Sequence, residues 1–289
     1  MTVDAGGRED FEVGIDGLVI RGTSEGEGAP VILCHGLSAT RDYVVHGSRA
    51  IQRSGRTLHL WDARGHGLSD PPADGVGYGY PEQVGDLDAV IADRAGNERL
   101  VVGGHSMGCH TALAWSLANP ERVSALILIG PVFDASGRGQ PEDRWDERAT
   151  VLEEEGPEGF ADLVADEFEG SEEERETVRR IALERTLHHV RPEAVAQALR
   201  EVPRSRPFGQ LSQLEDLPMP CLVIGSHDEW DPGHPLSVAE AWTEALPDAE
   251  LIVEEQGESP LAWQGGRLSR EIVRFLDDRI SEGGDLEVD

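Results

Sequence analysis

The stretch Leu100-Val101-Val102-Gly103-Gly104-His105-Ser106-Met107-Gly108, followed by Cys109-His110-Thr111-Ala112-Leu113-Ala114-Trp115, decides how the rest of the chain is read. An apolar, β-branched run stops at glycine, and a helical pattern starts just after a serine. The pattern predicts strand, sharp turn and helix, with Gly104-x-Ser106-x-Gly108 at the turn. Glycine is required on both sides because the strand and helix backbones approach too closely for a Cβ. Such a turn lifts the Ser106 hydroxyl clear of the backbone and aims the free N–H groups of the helix start at whatever sits on it. It is a nucleophile elbow. A Gly-x-Ser-x-Gly arising by chance in a loop would lack the flanking strand and helix.

Working outward, the same alternation repeats. Phe11 to Ile20 alternates and breaks at Asp16-Gly17, which predicts a hairpin. Pro30 to Cys34 and Thr57 to Trp61 are short apolar runs, read as buried strands. Thr40 is placed to cap a helix running to about Ser54, with Gly55 ending it. Pro81 to Asp93 is a helix, Arg99 to Gly103 the elbow strand, Met107 to Ala118 the elbow helix, and Val123 to Ile129 a further strand. After a long gap come strands at Cys221 to Gly225 and Glu250 to Val253, with helices at Pro235 to Leu246 and Leu268 to Ile280. Strands alternating with helices over short connections predict an α/β fold, a mostly parallel sheet of eight strands with helices on both faces.

The gap has its own character. From 132 to 216 no strand pattern occurs, and the segment is acidic, arginine-rich and helical in period. It is too long for a loop, since connections beyond about 15 residues are uncommon in compact domains. The expected organisation is a first core part at 1–131, an inserted helical cap at 132–216, a second core part at 217–281, and an acidic, disordered tail at 282–289.

Composition excludes several classes of function. The chain has 289 residues, 56 acidic against 25 basic, and a formal charge of −31. Every basic residue is arginine. Phosphate contacts need positive charge, so neither nucleic acid nor an anionic membrane is an expected partner. The acidity reads as a solubility adaptation. Cys34, Cys109 and Cys221 fall in apolar strand or helix-start contexts and are expected to be buried free thiols. The first ten residues have no basic head and no apolar run, so neither a signal peptide nor a membrane span is expected, and the expected location is cytoplasmic. With no metal cluster, phosphate loop or dinucleotide fingerprint, no cofactor is implied.

At this point the chain resembles the α/β-hydrolase fold family, almost end to end. His35-Gly36-Leu37 resembles the oxyanion loop after the third strand, and Asp62-x-Arg64-Gly65-His66-Gly67-x-Ser69 the loop after the fourth. Gly104-His105-Ser106-Met107-Gly108 resembles the elbow, and Gly225-Ser226-His227-Asp228 the loop carrying the triad acid. The resemblance implies Ser106 as nucleophile, the backbone N–H groups of Leu37 and Met107 as oxyanion hole, and Asp228 as the acid that orients the base. Arg64, His66 and His35 read as loop-packing groups. His105 adjoins the serine, but neighbouring side chains at an elbow diverge, which makes it a poor base.

One piece departs from the family. Where the family carries its histidine, after the last strand, this chain reads Glu254-Glu255-Gln256-Gly257-Glu258-Ser259-Pro260, and no histidine follows His234. Serine is a weak nucleophile without a base. Three readings stay open. Glu258 is the base, its pKa raised by a neighbouring carboxylate; or His234, just after the acid loop, has taken the role; or the site binds a small ligand without hydrolysing it. His227 adjoins Asp228 but is expected to diverge from it. The expected function is a serine hydrolase acting on a small carboxylic ester, lactone or thioester through an acyl-enzyme. A serine at the elbow, instead of aspartate, sets it apart from the dehalogenase and epoxide-hydrolase branches. Trp230 and Trp263, near the acid and base loops, suit either a partly apolar pocket or the core.

Overall fold

The computed structural model describes residues 7–134, 142–227 and 229–280. Its centre is one eight-stranded sheet built from β1 (Glu9–Ile15), β2 (Leu18–Glu25), β3 (Ala29–Cys34), β4 (Arg56–Trp61), β5 (Leu100–His105), β6 (Val123–Ile129), β7 (Cys221–Ile224) and β8 (Ala249–Ile252). The spatial order is β1-β2-β4-β3-β5-β6-β7-β8. β1 and β2 form an antiparallel hairpin and β2 runs antiparallel to β4; all later pairings are parallel. The hairpin closes through Asp16 (φ 48°) and Gly17 (φ 84°), with Ile15 opposite Leu18. Two left-handed residues make the tight turn whose twist matches the strands it joins.

Helices cover both faces, as the near-continuous apolar strands require. In β6, Val123, Leu126 and Leu128 point to one face, while Ala125, Ile127 and Ile129 point to the other, all 0% exposed. The first face packs against α2 (Tyr80–Arg94), α3 (Met107–Ala118) and α7 (Leu236–Ala245) through Leu87, Val90, Leu113 and Trp242. The second packs against α1 (Ala50–Arg53) and α8 (Gly265–Arg279) through Ile51, Ile272, Phe275 and Leu276.

The helix expected from Thr40 to Ser54 is mostly absent. A 3₁₀ turn at Arg41–Tyr43 and the short α1 replace it, and the Thr40 side chain makes no cap bond. His46 (φ 47°) and Gly47 (φ 73°) lie in the left-handed region, which ends a right-handed helix between the two pieces.

Between β6 and β7 the described residues hold no strand. They form α4 (Glu142–Asp166), α5 (Glu172–Thr186) and α6 (Pro192–Glu201), with 3₁₀ turns at Val202–Arg204 and Leu211–Asp216. α4 bends at Gly156 (φ 73°), just before Pro157, which breaks the helical ladder. Ala149, Leu152 and Phe160 of α4 meet Val195, Ala196 and Leu199 of α6 in a small core of their own. The expected tail at 282–289 lies outside the described residues. No described helix is long and apolar enough to cross a membrane.

The topology positions a site. From β3 the chain moves one way to β4, then crosses back to place β5 on the other side of β3. Strand order reverses between β3 and β5, and a crevice opens at the carboxyl ends of strands on either side of such a reversal. Leu37 follows β3 there, and Ser106 follows β5.

Candidate active site

Ser106 sits between β5 and α3 with φ 51° and ψ −117°, a left-handed conformation that costs a non-glycine residue about 1–3 kcal/mol. Backbone bonds hold it there. Its N–H donates to the Ile129 carbonyl at 2.8 Å, and its own carbonyl accepts from the N–H groups of Cys109 (3.0 Å) and His110 (3.2 Å). The flanking glycines are sterically required. A Cβ on Gly104 would lie 2.7 Å from the Gly108 carbonyl carbon, and one on Gly108 would lie 2.6 Å from the His35 carbonyl oxygen. The elbow therefore packs directly on the end of β3. The Ser106 hydroxyl has no hydrogen-bond partner among the described residues.

Ser106 lines a cavity of about 850 Å³. Leu37 after β3 and Ser106 and Met107 after β5 line it, together with His234 from the segment after β7. Its lining also includes Trp145, Phe160 and Val164 of α4, Phe168 just beyond that helix, and Trp230 and Trp263. Trp230 stacks on Phe168 at 6.3 Å between ring centroids. Both tryptophans thus face the cavity. Met107 is the first residue of α3, so its N–H has no helical acceptor, and the positive end of the helix dipole points at the same spot.

His234 is the imidazole that the fold brings to this cavity with a carboxylate behind it. Its Nδ1 lies 2.8 Å from Asp231 Oδ1, and the two side chains are 15% and 12% exposed. The His234 N–H backbone also donates to the Asp231 carbonyl at 3.0 Å, so a tight turn holds both side chains. A carboxylate on Nδ1 keeps the proton there and leaves Nε2 as the basic nitrogen. His234 Nε2 has no partner among the described residues. His105 packs beside it, with ring centroids 5.0 Å apart. Burial and the neighbouring His234 push the His105 pKa well below the imidazole range, so His105 stays neutral.

Glu258 corrects an expectation. The turn from Glu255 through Gly257 (φ 83°) puts it on the surface, where its carboxylate pairs with Arg267. It does not line the cavity. Instead of a carboxyl raised towards neutrality by a like charge, Glu258 is held below the ordinary glutamate range by the Arg267 hydrogen bond, which makes it a weaker base. Glu258→Gln is expected to leave turnover of an activated ester within about 2-fold, since exposed ion pairs contribute little; a loss of 100-fold in kcat would put the glutamate back in the chemistry. Asp228, which the resemblance makes the triad acid, lies outside the described residues. Asp231, three residues on, was not singled out from sequence; its spacing from His234, i to i+3 within Asp-Pro-Gly-His, was the available signal.

Other functional-looking groups prove to be scaffolding. Glu254, buried at 3% exposure, accepts from Ser226 Oγ (2.9 Å), the His227 N–H (2.7 Å) and the Leu261 N–H (3.3 Å), tying the loop after β7 to the loop after β8. Arg64 forms a buried pair with Asp86, Nε to Oδ2 at 2.7 Å. His35 Nε2 accepts from the Ala63 N–H at 2.9 Å, and His66 Nδ1 bonds the Arg64 carbonyl at 3.0 Å. His110 Nε2 accepts the N–H groups of Val132 (3.1 Å) and Phe133 (3.3 Å), and Nδ1 meets Tyr80 Oη at 2.8 Å. Burial lowers the His110 pKa to about 3, so it remains a neutral anchor for the segment leaving β6. All three cysteines are free and buried, and burial pushes Cys34 and Cys221 up to about 12, far from thiolate chemistry.

A family model described as the alpha/beta hydrolase fold matches residues 29–265. Among curated proteins, an epoxide hydrolase of Caballeronia sordidicola is 29% identical over 145 residues, 50% of this chain and 44% of that protein. A 2-hydroxy-6-oxononadienedioate/2-hydroxy-6-oxononatrienedioate hydrolase of Pseudomonas putida is 34% identical over 113 residues, 36% of this chain and 37% of that protein. These matches span less than half the length of either relative. Among solved structures, the enol-lactonase from Burkholderia xenovorans superposes with a TM-score of 0.75 at 19% identity, over 92% of this chain and 99% of that one. A thermophilic esterase from Thermogutta terrifontis gives 0.72 at 23% identity, over 93% and 98%. At these identities the structural likeness speaks to the fold.

Proposed function

The chain belongs to the α/β-hydrolase fold family, and from that premise we propose that it is a serine hydrolase of a carboxylic ester, lactone or thioester, with Ser106 as nucleophile and His234–Asp231 as its base pair. The observation that carries the reading is the 2.8 Å contact between His234 Nδ1 and Asp231 Oδ1 on the wall of the cavity that Ser106 lines. The printed names of the relatives are consistent with hydrolysis.

In the proposed reaction His234 Nε2 takes the Ser106 proton as Oγ bonds to the acyl carbon. The carbonyl π electrons move onto oxygen, and the N–H groups of Leu37 and Met107 hold that oxyanion with dipoles fixed beforehand. Collapse re-forms the carbonyl and breaks the bond to the leaving oxygen or sulfur, which takes the proton from His234. Water, deprotonated by the same nitrogen, then releases the acid and restores Ser106. The Asp231 carboxylate stabilises the imidazolium formed in each half. The Ser106 hydroxyl is unbonded before substrate arrives, and catalytic hydrogen bonds of this kind tighten in the complex.

Fluorophosphonate labelling followed by intact mass tests the reading. The expected result is one adduct per chain, at Ser106, that is lost in Ser106→Ala and strongly slowed in His234→Ala. A rate unchanged in His234→Ala would mark a different base. Well-folded protein that takes no label would overturn the hydrolase reading in favour of a ligand-binding protein, a role that the unbonded serine also fits.

A further inference from the structure

The chain carries 56 acidic and 25 basic residues, yet among the described residues the charged ones lining the Ser106 cavity are five arginines and three carboxylates. On the helical wall, Arg144 Nη2 (2.7 Å) and Arg148 both bond the same oxygen of a single carboxylate, Glu167.

Arg185, on α5, differs from these two arginines. It lines the cavity, and its Nε is buried with no hydrogen-bond partner. No carboxylate pairs with it among the described residues. The groups close enough for it to influence are Tyr43, His46, His105 and Arg148, with Glu184 also acting on Tyr43 and His46. Arg185 and Ser106 line the same cavity. A buried N–H donor left unmatched is costly and calls for an explanation, and for one that lines a cavity a ligand that completes it is the direct one.

We propose that Arg185 is the anchor for a carboxylate on the substrate, so that the ester, lactone or thioester cleaved at Ser106 belongs to a dicarboxylic acid whose second acid group is free. This rests on the hydrolase reading above. One guanidinium offers one planar, bidentate fork, which fits the two oxygens of a carboxylate. The aromatic walls, Phe160, Phe168 and Trp230 among them, suit the hydrocarbon between the two ends.

The test compares mono-4-nitrophenyl adipate with its methyl ester, 4-nitrophenyl methyl adipate. The two differ only in the distal carboxylate. The parent protein is expected to prefer the free acid by about 10-fold or more in kcat/KM, a typical discrimination by a charge-assisted pair. Arg185→Met should collapse the preference to within about 2-fold, and Arg185→Lys, which keeps the charge but loses the fork, should retain part of it. A preference that survives Arg185→Met, or a parent that favours the methyl ester, overturns the proposal. A second arm is independent of turnover: calorimetric titration of adipate itself into the full chain and into Arg185→Met. If neither ester is hydrolysed, the hydrolase reading fails, and adipate binding decides the anchor separately. Binding weakened 10-fold or more by Arg185→Met upholds a carboxylate site, and no binding, or binding indifferent to the substitution, overturns it.

Discussion

Ser106→Ala is expected to lower kcat on an activated ester by about 10⁴- to 10⁶-fold while the protein stays folded. The size follows from what the hydroxyl alone supplies. Without it no acyl-enzyme forms, and what remains is attack by water on a carbonyl polarised by the N–H groups at Leu37 and Met107. Such a residue-depleted site retains about 10³-fold over the uncatalysed rate. The backbone offers a second, opposite reading of the same position. Ser106 is held at φ 51° by its bonds to Ile129, Cys109 and His110 and not by its side chain. Ser106→Gly removes the Cβ from a left-handed residue and is expected to raise stability by about 1 kcal/mol, or roughly 2 °C in Tm, while abolishing turnover equally. Kinetics and thermal melts on the two variants check both statements. An alanine variant that keeps turnover within 10-fold of the parent would show that Ser106 is not the nucleophile, and a glycine variant that melts lower would show that the elbow stores no strain.

The fold was legible because each element was locally consistent with the whole. The β6 run Val123–Ile129 is apolar at every position but Ser124, which demands burial on both faces, and the structure divides its side chains between two cores. Ser106 was legible because two glycines bracket it, and the close approaches at Gly104 and Gly108 confirm why. The helix expected from Thr40 failed at His46-Gly47. A left-handed His is set by tertiary contacts, and period gives no sign of it. The base was legible only as a choice of candidates. Glu258 held the family's sequence position, but a turn and Arg267 carry it to the surface, and loop direction is not encoded in spacing. His234 and Asp231 are neighbours in sequence, so their pairing was open to inspection; that they line the same cavity as Ser106 was not. Arg185 was hidden for a related reason. One arginine among 25 basic residues carries no signal until its neighbours are seen to leave it unpaired.

His234→Ala is expected to cost about 10³-fold or more in kcat, and Asp231→Asn a comparable factor, because the two act as one unit. The reasons differ. Removing the imidazole leaves Ser106 without a group to take its proton at neutral pH, and serine alone is a poor nucleophile. Changing Asp231 to Asn keeps the shape but replaces an acceptor that fixes the Nδ1 proton with an amide that can present N–H there; the imidazole then turns its proton towards Ser106 and cannot act as base. Combining either change with Ser106→Ala should add little, since a broken relay cannot be broken twice. That non-additivity separates a shared proton path from two residues that each merely support the fold, whose effects on stability would sum. The comparison with Glu258→Gln completes the argument. If His234→Ala is mild and Glu258→Gln severe, the loop after β8 must swing inwards in the working enzyme. If His234→Ala is severe and Glu258→Gln mild, the base of this hydrolase has moved from the loop after the last strand to the loop after β7, with an acid beside it in the same turn. The sequence change at Glu258 is then free to occur, because the imidazole that matters sits elsewhere. The split between kcat and KM gives the independent check: Asp231→Asn should depress kcat, whereas a change that acted only on substrate binding would move KM and leave kcat intact.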